Sequence, residues 1–427
     1  MIRTVLRCLS VCVLVFYGLL APLAAADPDE APAPLLSQDL PVHWWFVFKL
    51  NAAKFPGCGG SDVRACPFGG SVRDYGANWS QQFVYASSTD PTLHQGSGCL
   101  GDGISDPVGA TFNAIYNGNL NFVVWNDQFY RDPAIKGCSD SCSAPWGHSK
   151  GVLAWDDTGK GFVMQVTTPS WPGAGNSANP RTHDGNTLGC IIDNNVKVSQ
   201  HAFALQLTKD DVVAVLQALG NASVVTDISN PQIVKNGGPD DIVALVNALG
   251  VKSDSKTFLK TTLSDGTILL SKPSALPVPP WQMVSSLLGG IDLRAATWWT
   301  NPAIDTTTAD SPLACWDASL TTKPGGVEIA KTGQWNGVSF NLTGGPGNDR
   351  NHAKIGVSTD ATVHTVIFGD MNQQGNATDP ARKCSSSQNG RGGLFFVRSD
   401  PALWQSVNDL ITAPPDSAAA PASDPAP

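Results

Sequence analysis

Seven histidines are spread over 427 residues, and two of them stand in the same local setting. His148-Ser149-Lys150-Gly151-Val152 and His352-Ala353-Lys354-Ile355-Gly356 each place a lysine two residues after a histidine and lead into an apolar run. On a strand, residues i and i+2 point to one face, so each His-x-Lys sets an imidazole beside an ammonium. That pairing suits phosphoryl chemistry. The ammonium neutralises a phosphate oxygen while the imidazole attacks phosphorus or carries a proton. Two copies supply a nucleophile and an opposed general acid, a chemistry that needs no metal and no cofactor. One His-x-Lys alone is most simply a solvated strand end. Two copies, 204 residues apart and each followed by a hairpin pattern, point to two halves facing each other across a pseudo-twofold axis.

The elements that must hold these residues read mostly as strands. Residues 44–50 and 120–125 are short aromatic and β-branched runs, expected to be buried. Residues 151–155 and 161–166 flank Asp156-Asp157-Thr158-Gly159, which has hairpin-turn chemistry. Residues 354–358 and 363–368 repeat the picture around a Thr-Asp-Ala turn. Helices are expected in the middle. Thr208 caps one in which Val212, Val213, Val215, Leu216 and Leu219 share a face before Gly220, and residues 240–250 are a near copy. Both read as scaffold.

Composition bounds the rest. The chain is 42% apolar and 15% charged, which excludes wholesale disorder, while 42 Gly and 31 Pro require many turns. A net charge of −9 excludes a generally basic surface that coats nucleic acid, so any polyanion must be met by a local cleft. The first 26 residues read as a secretory leader, with Arg3 and Arg7, an apolar stretch over 9–20 and Ala24-Ala25-Ala26 as cleavage site. The stretch is too short to span a bilayer. Its removal takes two positive charges with it, from −9 to −11, and predicts a secreted or periplasmic protein with no integral membrane segment. Eight cysteines remain, which in an exported chain read as disulfides, and Cys138 and Cys142 could close a tight loop. A zinc site fails on pattern, since no Cys-x-x-Cys pair faces a second pair or a His-x3-His. Residues 27–40 are expected to be a mobile lead-in, 41–412 the catalytic domain, and 413–427 a disordered Ala/Pro tail.

The chain resembles the deoxyribonuclease II family, itself distantly similar to the phospholipase D fold with its paired His-Lys motifs. The likeness rests on Trp45-Phe46-Val47-Phe48-Lys49-Leu50, Trp125-Asn126-Asp127-Gln128 and, above all, residues 147–156, GHSKGVLAWD. It continues through residues 161–172, Gly185-Asn186-Thr187-Leu188-Gly189-Cys190, residues 351–358, Gly369-Asp370-Met371-Asn372 and Arg391-Gly392-Gly393. The first His-Lys block and Gly-Asp-Met-Asn are the specific ones, whereas Arg-Gly-Gly alone carries no weight. The blocks run in family order over roughly residues 42–410.

The resemblance implies a mixed α/β, phospholipase D-like fold of two pseudo-symmetric sheet-and-helix halves, roughly 41–205 and 255–412, joined by a helical connection over 206–254. It implies an endonuclease that hydrolyses DNA without a divalent metal and leaves 3'-phosphate and 5'-hydroxyl ends. Carried onto this chain, His148 attacks phosphorus to form a phosphohistidine, and His352 protonates the departing 5' oxygen and then activates water. The two roles are exchangeable between similar halves. Lys150 and Lys354 hold the non-bridging oxygens, Asn372 helps to bind phosphate, and Asp370 could orient a histidine.

Three departures stand out. Asn351 occupies a position where the family usually has an acidic residue, and a neutral amide cannot raise the pKa of His352 as a carboxylate would. Ser170 stands as the first-half counterpart of Asn372, so the half-sites are not equivalent. An upstream cysteine that animal members bridge to the Cys190 position is missing, so Cys190 needs another partner. Asp127 and Asp156 follow strands, where turn roles are as expected as site roles, and His201 reads as structural. Two rival functions stay open: a related phosphodiesterase on another substrate such as a phospholipid, or a non-catalytic exported DNA-binding module. Whether a homodimer completes a DNA clamp stays open.

Overall fold

A computed structural model describes residues 31–58, 82–101, 103–131, 133–138, 140–169, 171–172, 176–179, 197–300, 303–360 and 362–412. The leader, the tail, His183, Ser170, Cys66 and Cys190 lie outside the described residues. The strands of the first half are β1 (Trp44–Lys49), β2 (Phe83–Ser87), β3 (His94–Gln95), β4 (Asn121–Asn126), β5 (Lys150–Trp155), β6 (Gly161–Val166), β7 (Gln200–Leu207) and β8 (Val234–Lys235). They form one sheet in the order β3-β2-β1-β7-β6-β5-β4-β8. The second half supplies β9 (Leu259–Thr262), β10 (Ile268–Lys272), β11 (Leu293–Ala296), β12 (Val327–Ile329), β13 (Thr332–Trp335), β14 (Val338–Asn341), β15 (Ile355–Ser358), β16 (Thr365–Gly369) and β17 (Gly393–Ser399). Here β13 and β14 make a separate hairpin, and the rest form a sheet ordered β12-β11-β15-β16-β17-β10-β9.

One five-strand motif occurs in both sheets. The order β1-β7-β6-β5-β4 in the first matches β10-β17-β16-β15-β11 in the second, and every pair within both runs is antiparallel. The helices repeat with it. The first strand of each motif is followed by α1 (Pro107–Tyr116) or α4 (Pro280–Leu287), and the last by α2 (Lys209–Asn221) or α5 (Pro401–Ile411). The motif strands are nearly continuous apolar runs because both faces are covered: β4, β5 and β6 are buried at every residue. Between the sheets the rings of Phe46, Phe203, Phe368 and Phe396 meet, with Phe203 and Phe368 stacked at 4.3 Å.

Two expected boundaries move. Residues 34–42, within and beside the expected mobile lead-in, are tied down: Thr111 Oγ1 on α1 accepts from Leu35 N at 2.9 Å, and Gln38 N donates to Ile104 O at 2.7 Å. The 206–254 connection is more than helical. It contains α2 and α3 (Asp240–Asn247), but β7 runs to Leu207, and Val234 and Lys235 pair with Val123 and Phe122 at the sheet edge. Thr208 caps α2 as its sequence requires, in a reciprocal box with Asp211. Disulfides join Cys58 to Cys99, Cys138 to Cys142 and Cys315 to Cys384.

Candidate active site

Each half delivers its histidine from the short segment that enters its third motif strand. His148 lies just before β5 and His352 just before β15, and both are buried, with 6% and 9% of their surface exposed. They line one cleft of about 390 Å³ together with Gln128, Tyr130, Gln200, Trp298 and Asn372. The structure thus brings the two motifs to a single site.

The histidines are held by a reciprocal exchange between the halves. His148 Nδ1 donates to the main-chain oxygen of Asp370 at 2.7 Å, and His352 Nδ1 donates to that of Thr167 at 2.9 Å. Thr167 directly follows β6 and Asp370 directly follows β16, so the two carbonyls are equivalent in the motif. The backbone behaves alike. His148 N donates to Gly392 O at 2.8 Å and His352 N to Ser199 O at 2.7 Å, each just before the last motif strand of the opposite half. A carbonyl only accepts, so Nδ1 carries the proton in both rings and Nε2 is the nitrogen left without one in the neutral ring.

Burial first, and then the neighbouring lysines, hold both imidazoles well below their ordinary pKa; for His148, Asp127 opposes the shift. The lysines differ. Lys150 Nζ lies 2.5 Å from Asp127 Oδ1, and Arg391 Nη2 lies 2.8 Å from Asp127 Oδ2. Burial would raise the Asp127 pKa, but Lys150, Arg391 and His148 outweigh it and keep the carboxyl well below the usual range. Lys354 Nζ instead donates to His352 O at 2.6 Å and sits 3.2 Å from His352 Nδ1, with no ion pair among the described residues. Burial and the repulsion of Lys150 drive its pKa well below 10.5. The edge of Trp298 meets the His352 ring at 5.1 Å, where the first half has Asp127 and Gln128 after β4.

The supporting residues are distributed as follows. The Asp370 carboxylate does not touch a histidine: it accepts from Gln165 Nε2 at 3.0 Å and Leu394 N at 2.9 Å, and burial pushes its pKa up to about 7. Asp370 meets His148 through its main-chain carbonyl and not through its carboxylate. Asn372 lines the cleft, with Nδ2 given to Gln374 Oε1 at 2.8 Å and Oδ1 without a partner among the described residues. Counting from the paired carbonyls, its counterpart is Pro169, which also lines the cleft, rather than Ser170. Asn351 turns onto its own chain, bonding the N–H and C=O of Ala353, and makes no hydrogen bond with the His352 ring.

Three residues beyond the two motifs hold the site: sequence alone leaves Asp127 open between a turn and a site role and gives none to Arg391 or His201. Asp127 is the buried anchor of Lys150, while Asp156 only closes its hairpin turn through Thr158 and Lys160. Arg391 reaches back from the second half to Trp146 O and Gly147 O, which lead into His148. Its neighbour Gly392 is required by close approach, since a Cβ there would stand 2.1 Å from Ala222 O. His201 accepts the Lys354 N–H at Nδ1, 3.1 Å away, and so helps to fix the second motif. Only the Trp-Asn-Asp-Gln and Arg-Gly-Gly blocks carried any signal for the first two; spacing alone gave none.

Comparison with known proteins places the chain beside nucleases. The family model for deoxyribonuclease II matches residues 35–223, the stretch that carries His148, Lys150 and Asp127. Over 380 residues the chain is 23% identical to cell-death-related nuclease 7 of Caenorhabditis elegans, covering 87% of this chain and 84% of that one. Over 173 residues it is 30% identical to deoxyribonuclease-2-alpha of Rattus norvegicus, covering 38% of this chain and 42% of that one. Among solved structures, a variant of yeast tyrosyl-DNA phosphodiesterase 1 aligns with TM-score 0.32 and 9% identity, over 68% of this chain and 86% of that one. Over residues 35–223 the chain is similar to the deoxyribonuclease II family.

Proposed function

We propose that this protein is an exported endonuclease that hydrolyses DNA phosphodiesters through a phosphohistidine, without a metal ion, to 3'-phosphate and 5'-hydroxyl ends. The observation that carries the reading is the reciprocal seating of His148 and His352, which fixes the same tautomer on two rings facing one cleft. Names of the similar proteins support a nuclease and DNA as substrate. The leader pattern and the three disulfides support export.

In the first step the Nε2 lone pair of His148 attacks phosphorus. The bond from phosphorus to O5' breaks, and the proton on His352 Nε2 passes to that oxygen. The positive charge that develops on the His148 ring is steadied by its Nδ1–H on the Asp370 carbonyl. Lys150 and Lys354, buried behind the cleft, supply positive charge toward the non-bridging oxygens, and Asn372 has an amide hydrogen left to donate. In the second step His352 Nε2 takes a proton from water, the hydroxide attacks phosphorus, and the P–N bond returns its electrons to His148. His352 is given the acid role because Thr167 O, 2.9 Å from its Nδ1, opposes the lowering of its pKa by burial and the nearby lysines.

Internally ³²P-labelled DNA, quenched in alkali during turnover, is expected to leave acid-labile, alkali-stable label on the wild-type protein and none on His148→Ala. Product ends are expected to accept phosphate from polynucleotide kinase without prior phosphatase. Label that is alkali-labile, or absent while turnover proceeds, would contradict the intermediate.

A further inference from the structure

Two buried lysines outside the His-x-Lys motifs are related by the same pseudo-twofold axis. Lys49 is the last residue of β1 and Lys272 the last of β10, the equivalent first strands of the two motifs. Both are wholly buried. Their amino groups are given to main-chain carbonyls: Lys49 Nζ to Val198 O at 2.6 Å and Leu50 O at 3.3 Å, Lys272 Nζ to Arg391 O at 2.9 Å, Asn389 O at 2.8 Å and Pro273 O at 3.3 Å.

The receiving residues matter. Val198 immediately precedes Ser199, whose carbonyl takes the N–H of His352, and Arg391 immediately precedes Gly392, whose carbonyl takes the N–H of His148. Each lysine therefore clamps the turn on which the histidine of the opposite half hangs. From Lys49 the chain of contacts runs Nζ, Val198 O, Ser199 O, His352 N; from Lys272 it runs Nζ, Arg391 O, Gly392 O, His148 N. Burial alone lowers both amino groups from 10.5 to about 7, a cost borne at equivalent positions of both halves. A fold needing only bulk there would be served by methionine. A turn whose carbonyls must be held at a fixed height needs a donor that reaches them from below.

We propose that Lys49 and Lys272 are a second symmetric pair of positioning residues, Lys49 for His352 and Lys272 for His148. This rests on the two-histidine reading above. Loss of either clamp lets its histidine shift relative to phosphorus, and a misplacement of about 1 Å costs on the order of 10²-fold in rate.

The test uses Lys49→Met and Lys272→Met in the full chain, with His148→Ala and His352→Ala beside them. Two substrates are compared: supercoiled plasmid, and thymidine 3'-(4-nitrophenyl phosphate), whose leaving group departs without a proton. On plasmid, kcat is expected to fall on the order of 10²-fold with KM within about threefold of wild type. On the aryl ester, the burst of 4-nitrophenolate reports the first step alone. Lys49→Met and His352→Ala are expected to recover together there, while Lys272→Met and His148→Ala are not. The mirror result, with each lysine still following its own histidine, supports the positioning and exchanges the two catalytic roles. Equal loss on both substrates, in proportion to the folded fraction from thermal melting, would overturn it. Where a methionine variant does not fold, Lys49→Gln and Lys272→Gln, whose shorter stems hold the donor back from the turn carbonyls, replace it with the same expected split between substrates; failure of all four to fold would assign the lysines to the fold and overturn the proposal as well. Should the two histidine variants cleave plasmid like wild type, the two-histidine reading itself fails, an outcome distinct from all of these.

Discussion

His148 Nδ1 donates to the main-chain oxygen of Asp370 at 2.7 Å, while the Asp370 carboxylate turns away to Gln165 and Leu394. A backbone acceptor fixes the tautomer without adding a negative charge to the site. The side chain that sits in the Gly-Asp-Met-Asn block therefore does structural work, and its neighbouring peptide does the chemical work.

Asp370→Asn separates the two. Its amide oxygen can still accept from Leu394 N, and Gln165 can turn its amide to offer the Oε1 that has no partner among the described residues. Activity is expected within about tenfold of wild type, against the loss of ~10⁴-fold seen when a carboxylate that holds a catalytic histidine is replaced by its amide. Steady-state kinetics on plasmid decides between them.

The pH profile follows from the depressed histidines. The first step needs one neutral and one protonated ring, and burial with neighbouring cations holds both well below 6.5. In the free enzyme kcat/KM is thus expected to rise as the pH falls below 6.5, as His352 gains its proton. Asn351 lacks the carboxylate that would lift that pKa, so its neutrality moves the acid optimum lower. Removing a cation has the opposite sign. Lys354→Met is expected to shift the alkaline limb of kcat/KM to higher pH by about one unit while lowering its plateau by ~10²-fold. A limb that stays in place would show that Lys354 does not act on His352.

Asp127 ties two cations from different halves, and it is nearly inaccessible, with 1% exposed. Asp127→Asn leaves the buried Lys150 charge unanswered and is expected to lower stability by roughly 3–5 kcal/mol. Denaturant unfolding measures it. Arg391→Met leaves the Asp127–Lys150 pair in place and is expected to cost less. In any Asp127→Asn protein that folds, the loss of a negative neighbour lowers the His148 pKa further, so the acid limb of kcat is expected to move down in pH.

How much of this was legible beforehand divides by range of interaction. Strands such as β4, β5 and β6 announce themselves because both faces are buried and local composition records it. Repetition of His-x-Lys pointed to the two histidines that line the cleft. Contacts across the pseudo-twofold axis left almost no local trace. Arg391 sits in an unremarkable Arg-Gly-Gly and acts only because its chain returns beside Trp146 and Gly147. Thr167 contributes a carbonyl, an atom every residue has, so no residue type marks it. Pro169 rather than Ser170 pairs with Asn372 because equivalence runs through strand ends, which sequence spacing does not index.

Cleavage of DNA by two histidines without a metal ion is the expected activity. The most direct measurement is nicking of supercoiled plasmid in excess EDTA from pH 4 to 8, by wild type, His148→Ala and His352→Ala. Nicking by the wild type that persists in EDTA and disappears in both variants is the predicted result. No nicking by the folded wild type at any pH, or undiminished nicking by either variant, would contradict it.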